Sequence, residues 1–126
     1  MSLAALTQPD IAKMVEAAAL LCPISYLEHV TAPFVLRLVK IVLMSQPKPP
    51  TFDLSSIPSS LPIWMGYGGN DALADISDVK HTLKELPSKP DLLYLENYGH
   101  IDFLLSVKAK EDVYDSMLAF LPPGNI

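Results

Sequence analysis

Residues 61–75 read LPIWMGYGGNDALAD. An apolar run breaks into glycines and then sets down two carboxylates, Asp71 and Asp75. Consecutive apolar positions predict a strand buried on both faces, and the glycines with Asn70 end it in a turn. In the continuation DISDVKHTLKELP, Ile76, Val79, Leu83 and Leu86 recur at helical spacing, Asp75 stands at the N-cap and Pro87 is the stop. Residues 91–100, DLLYLENYGH, predict a second strand, too uniformly apolar to be half exposed. Residues 110–123, KEDVYDSMLAFLPP, predict a closing helix with Val113, Met117 and Phe120 or Leu121 inward. Strand, helix, strand, helix is the order of parallel βαβ units with right-handed crossovers.

Upstream the organisation is less uniform. Residues 2–8 predict a helix that stops at Pro9. The run VEAAALLCPI (15–24) suits a helix by its alanines and a doubly buried strand by its unbroken apolar character, and both readings stay open. The basic, apolar FVLRLVKIVLM (34–44) precedes SQPKPPTFDLSSIPSSLP (45–62), whose prolines and serines mark the seam in the chain. We therefore divide one domain into residues 1–44, a Pro/Ser-rich junction 45–60, and a βαβα unit 61–126.

Composition narrows the function classes. At 126 residues, half of them hydrophobic, with a mean hydropathy of +0.29, the chain can enclose a core without staples. A net charge of −5 and a pI near 4.9 repel phosphate backbones, and no Lys/Arg cluster offers a local exception, so nucleic acid is not expected as a partner. Cys22 is the single cysteine, so no internal disulfide forms, and its apolar setting predicts an inert buried thiol. The amino terminus lacks a basic n-region, and Pro9 and Asp10 interrupt its apolar stretch too early for a signal peptide. The segment 34–44 is about half the length of a membrane span and carries Arg37 and Lys40, so no transmembrane segment is expected.

In open α/β sheets chemistry gathers beyond the carboxyl ends of the strands. Asp71 lies just past the first predicted strand and His100 just past the second, 100 − 71 = 29 residues apart, the length of one helix, one strand and short loops. Adjacent strands lie about 5 Å apart, so the two loops can bring carboxylate and imidazole into contact. Gly68, Gly69 and Gly99 would permit tight, unusual turns that aim both side chains at one point. A carboxylate held against one imidazole nitrogen selects the tautomer whose other nitrogen can deprotonate a hydroxyl. Asp71 is thus the candidate orienter and His100 the candidate general base.

The stretches WMGYGGNDALADISDV, LKELP, YLENYGHIDF and AKEDVYDSM, together with residues 1–33, resemble the carboxyl-terminal part of the eukaryotic acid lipases, in particular the plant triacylglycerol lipase 2-like proteins of the α/β-hydrolase superfamily. The resemblance implies a partial α/β-hydrolase fold of about three parallel strands with flanking helices. By it, Asp71 of GGND and His100 of YGH are the triad acid and base of a carboxylic-ester hydrolase acting on acylglycerols. No cofactor and no metal are implied. Two departures accompany the match. No GxSxG elbow for the nucleophile occurs in the 126 residues, the chain starting at a methionine just downstream of where it would stand, and the family's oxyanion-hole loop is absent with it. Most of the family's cap is replaced by the short junction KIVLMSQPKPP. The expectation is a chain inactive alone, with a bare sheet edge that pairs with a complementary polypeptide or with itself, or a loosely packed body. The alternative is a non-catalytic remnant or interaction module. Family relatives travel the secretory or vacuolar route, whereas no signal peptide is recognisable here, so location stays open.

Other residues carry plainer readings. Asp75 reads as a helix cap before a substitute acid, Asp78 as a first-turn carboxylate, and Asp102 as a surface charge that could pair locally. Asn70, Asp71, Asp75 and Asp78 lack the spacing of a calcium loop. His29 and His81 read as solvent-facing, and Ser2, Ser25 and Ser106 lack the flanking glycines that an elbow demands. Segment 34–44 reads as a cap stump before a lipid-contacting flap.

Overall fold

The computed structural model describes residues 2–24 and 52–123. Ser25, His29, Arg37, Lys40, the segment 34–44 and residues 45–51 of the proposed junction lie outside the described residues.

The amino-terminal helix is two short ones, α1 (Ser2–Leu6) and α2 (Pro9–Ala12). Pro9 therefore opens a helix instead of closing one. Its missing N–H falls in the first turn, where no intrahelical partner exists anyway. Leu3, Leu6 and Ala12 are the buried positions of the pair. The ambiguous run resolves as a strand, β1 (Ala18–Leu21). A 3₁₀ turn at Leu54–Ser56, capped by the Asp53 side chain on the Ser55 N–H, buries Leu54 and leads into β2 (Ile63–Gly68).

β2 is the central strand. It pairs in parallel with β1, Ala18 opposite Ile63 and Leu21 opposite Gly66, and in parallel with β3 (Asp91–Leu95), Trp64 opposite Asp91 and Gly68 opposite Leu95. The predicted three-strand parallel sheet is present. Flanked by strands on both edges, β2 is buried along nearly its whole length, with Ile63, Trp64 and Met65 at 3% exposure or less.

Helix α3 (Ile76–Glu85) makes the crossover from β2 to β3. Asp75 caps it as expected, its carboxylate accepting from the Ser77 N–H at 2.7 Å. Val79 and Leu86 reach the core, and Ile76 and Leu83 are half-buried. Asp78 and Thr82 are also buried, and the Thr82 hydroxyl donates to the Asp78 carbonyl at 3.0 Å.

The second strand departs from its expectation. β3 is an outer strand with Leu92 and Tyr94 each nearly half exposed. Its apolar composition serves cross-strand contact: Tyr94 packs on Tyr67 of β2 with ring centroids 5.1 Å apart. After it come a short helix, α4 (Asp102–Leu105), a π-helical turn (Lys110–Tyr114) and α5 (Asp115–Phe120). The predicted closing helix is thus divided by a wider first turn, which carries Val113 fully inward while Met117 and Phe120 pack partly buried against the core. Phe103 of α4, with no exposed surface, seals the core beneath the carboxyl end of β2. Beyond it Ile101, Leu104, Leu105 and Val107 stand exposed.

Candidate active site

β2 runs out at Gly68 and β3 at Leu95, and the loops that follow are stitched together by backbone bonds. The Gly69 N–H donates to the Leu95 carbonyl at 3.0 Å and the Asn70 N–H to the Tyr98 carbonyl at 3.1 Å, while the Asn70 amide reaches the Asn97 carbonyl at 3.4 Å. The glycines act through space, not through unusual backbone angles. None of the described glycines has a positive φ. A Cβ on Gly68 would overlap the Tyr98 carbonyl and one on Gly69 the Glu96 carbonyl, so only hydrogen lets the second loop lie this close. Gly99 has ordinary room for a Cβ and is not required in that sense.

This stitching brings the two residues singled out from the sequence together. Asp71 Oδ2 lies 2.9 Å from His100 Nδ1. The Asp71 side chain has no exposed surface, while that of His100 keeps 28%. Oδ1 of Asp71 accepts from the N–H groups of Leu73 and Ala74, both at 2.8 Å. Burial by itself would raise the Asp71 pKa, but the Ala74 and Leu73 N–H groups and the His100 ring outweigh it and hold the carboxyl below its ordinary value. An ionised carboxylate only accepts hydrogen bonds, so the imidazole proton must sit on Nδ1. Nε2 is left with its lone pair, the condition for a general base.

Cys22 completes the cluster, and sequence reasoning had not placed it there. It follows β1, and parallel strands deliver all their carboxyl ends to one edge, so the residue after every strand is a candidate for that edge. That signal becomes usable once the run 15–24 is known to be a strand. Cys22 is the one non-glycine residue with positive φ (46°) among the described residues, an outlier of the kind that clusters at functional sites. Its thiol reaches toward the His100 carbonyl oxygen at 3.9 Å and lies within 4.8 Å of an Asp71 carboxylate oxygen. Burial, then the Asp71 charge, pushes the thiol pKa far up. The cysteine is buried and protonated, the inert state expected of it.

Cys22, Asp71 and His100 offer metal-ligating atoms within 4.8 Å of one another. Those atoms are engaged in the hydrogen bonds just described, and a metal would have to displace both the Nδ1 proton and the thiol proton. The four-residue acidic set does not converge: Asp71 serves His100, Asp75 caps α3 and Asp78 is buried on its inner face. His81 is exposed and sits on α3 with Nε2 3.3 Å from Glu85, away from the dyad. The Ser106 hydroxyl lies 3.3 Å from the Tyr98 hydroxyl oxygen, to which it can donate, and Ser2 starts α1. The concavities lined by Ala12, Val15, Pro58 and Leu61 and by Met14, Val15 and Leu121 include neither Asp71 nor His100.

Parallel strands whose ends present an aspartate and, one crossover later, a histidine hydrogen-bonded to it follow the α/β-hydrolase order of acid before base. The chain is similar to triacylglycerol lipases of a plant and of mammals. Triacylglycerol lipase 1 of Arabidopsis thaliana is 41% identical to it over 213 aligned residues, covering 95% of this chain and 54% of the relative. Triacylglycerol lipase 2 of the same plant is 37% identical over 76 residues, covering 57% of the chain and 18% of the relative. Gastric triacylglycerol lipase of Mus musculus is 34% identical over 80 residues, covering 61% and 19%. No family model matches the chain. The chain spans about half the length of the first of these relatives and less of the others. The longest alignment is itself informative. Its 213 positions exceed the 126 residues of the chain by 213 − 126 = 87, so at least that many residues of the relative face a gap.

Proposed function

We propose that this chain carries the acid and the base of a carboxylic-ester hydrolase of triacylglycerol-lipase lineage, with Asp71 orienting His100 and acylglycerols as the substrate class. The observation that supports the reading is the 2.9 Å contact between a fully buried carboxylate and Nδ1 of a part-exposed imidazole at the carboxyl end of a parallel sheet. In the reaction His100 Nε2 takes the proton of an attacking serine hydroxyl, and Asp71 stabilises the imidazolium that forms. The serine must come from outside these 126 residues, since no GxSxG occurs in them. The gap of at least 87 positions against Triacylglycerol lipase 1 is read as the missing cap, between β1 and β2. The domain division at 44 and 60 follows from the same reading. The outer edges of β1 and β3 have no strand partner among the described residues, and we assign them to pairing with a completing polypeptide or a second copy.

Two experiments test this. The 126-residue polypeptide alone should neither label with a fluorophosphonate probe nor turn over a short-chain p-nitrophenyl ester, because an acid and a base without a hydroxyl have nothing to activate. Labelling of any of its serines overturns that statement. Joined to the portion of Triacylglycerol lipase 1 outside the aligned span, it should hydrolyse the ester and lose the activity on His100→Ala. A folded chimera that is inactive, or one indifferent to His100→Ala, sinks the catalytic reading and leaves the non-catalytic module, which the absent elbow favours.

A further inference from the structure

We propose that Asp102 is a positioning residue for His100, acting through the backbone of Gly99; the proposal rests on the reading of His100 as the base. The Gly99 N–H donates to Asp102 Oδ2 at 2.7 Å, and the Asp102 N–H donates back to the Gly99 carbonyl at 3.2 Å. These two opposed bonds close a ring of four residues, and His100 is the second of them. The first bond is charge-assisted and short, the kind that holds geometry best. Nothing else in the described structure explains the Asp102 carboxylate, which is exposed and has no cationic partner within salt-bridge distance among the described residues.

The ring is fixed to the body at both ends. On its carboxyl side Phe103 is wholly buried, so the Asp102 backbone cannot drift. On its amino side the Tyr98 ring packs edge-on to Phe103 at 5.2 Å, and its hydroxyl donates to Asp112 Oδ2 at 2.7 Å. Between these anchors the Asp102 carboxylate holds the N–H of the Tyr98–Gly99 peptide, and the Asp102 N–H holds the carbonyl of the Gly99–His100 peptide. Without the carboxylate the first of these bonds is lost, the turn that carries His100 loosens, and Nδ1 no longer stays in line with Asp71 Oδ2. An alignment of this kind tolerates little error, since a displacement on the order of 1 Å is enough to cost a catalytic contact.

The test uses the isotope-labelled 126-residue chain and needs no turnover. In Asp102→Ala, hydrogen exchange at the Gly99 amide should quicken by about tenfold or more, the loss expected of one hydrogen bond to a charged acceptor. The His100 nitrogen shifts should move from a single Nδ1–H tautomer to a mixture. Asp102→Asn keeps an accepting oxygen and should restore both signals, which a general loosening of the loop would not do. If Asp102→Ala leaves Gly99 exchange and the His100 tautomer as they were, or Asp102→Asn behaves like Asp102→Ala, the proposal is wrong. A measurement on the unmodified chain stands apart from any folding defect: scalar coupling across the bond from the Gly99 N–H to the Asp102 carboxyl carbon is expected, and its absence overturns the clamp. Failure of the catalytic reading looks different, as it would appear in the chimera's indifference to His100→Ala with the Gly99 signals unchanged.

Discussion

Asp71 is a carboxylate with no exposed surface, and such a group folds in its ionised form only if its oxygens are fully engaged. Two backbone N–H groups and an imidazole meet that demand. Because the folded pKa is lowered, the interaction contributes stability that is fully present above the ordinary carboxylate value of 3.8 and is lost as pH falls through the lower folded value. Asp71→Asn should therefore cost about 1–3 kcal/mol at neutral pH, with the gap to the unmodified chain closing on acidification below the ordinary value. Urea unfolding at a series of pH values measures it, and a pH-independent gap would contradict the assignment. The same substitution places an amide N–H against Nδ1, so the His100 tautomer should flip to Nε2–H. Nitrogen shifts of the imidazole read that directly.

At the scale of elements, the site depends on how closely two loops approach, and Gly68 sets the approach. Gly68→Ala would force the Tyr98 carbonyl outward and break its bond to the Asn70 N–H. The expected cost is about 1–3 kcal/mol, as for other overpacked positions, accompanied by loss of the Asp71–His100 contact in the imidazole spectrum. Asp75→Ala is the contrasting case. It removes the N-cap of α3 and should cost about 1 kcal/mol while the dyad signals persist, since the cap and the dyad use different carboxylates. If both variants disturbed the dyad alike, the loop stitching would not be the positioning device. The exposed β3 belongs to this scale too. Its apolar residues could be read as interior, but with a strand neighbour on one side only among the described residues, β3 leaves Leu92 and Tyr94 nearly half exposed however apolar they are.

At the scale of the molecule, the sheet of the described residues is three strands wide with β2 at its centre, and Trp64, the single tryptophan, is 3% exposed there. Its emission thus reports the state of the entire sheet. If the unpaired edges associate as proposed, the folded state gains stability by mass action, so the urea midpoint followed at Trp64 should rise with protein concentration. A midpoint independent of concentration, with a monomer in sedimentation, would argue against edge pairing. No helix among the described residues is long and apolar enough to cross a membrane.

The sequence by itself determined the alternation of strands and helices, the cap at Asp75, the parallel sheet and the pairing of Asp71 with His100 as candidates. Caps, turn residues and apolar periodicity act within a few neighbouring residues, so they can be read along the chain, and the spacing of 29 residues is a matter of counting. Only the tertiary structure decided that residues 18–21 are a strand, that Pro9 opens a helix, that β3 lies outermost among the described strands, that Gly68 is needed for space, that Cys22 lies against the His100 carbonyl and that Asp102 bonds the Gly99 N–H. Each of these depends on which group from a distant part of the chain comes to lie alongside. Burial and hydrogen-bond partnership are properties of that neighbourhood, and a local pattern carries no record of it.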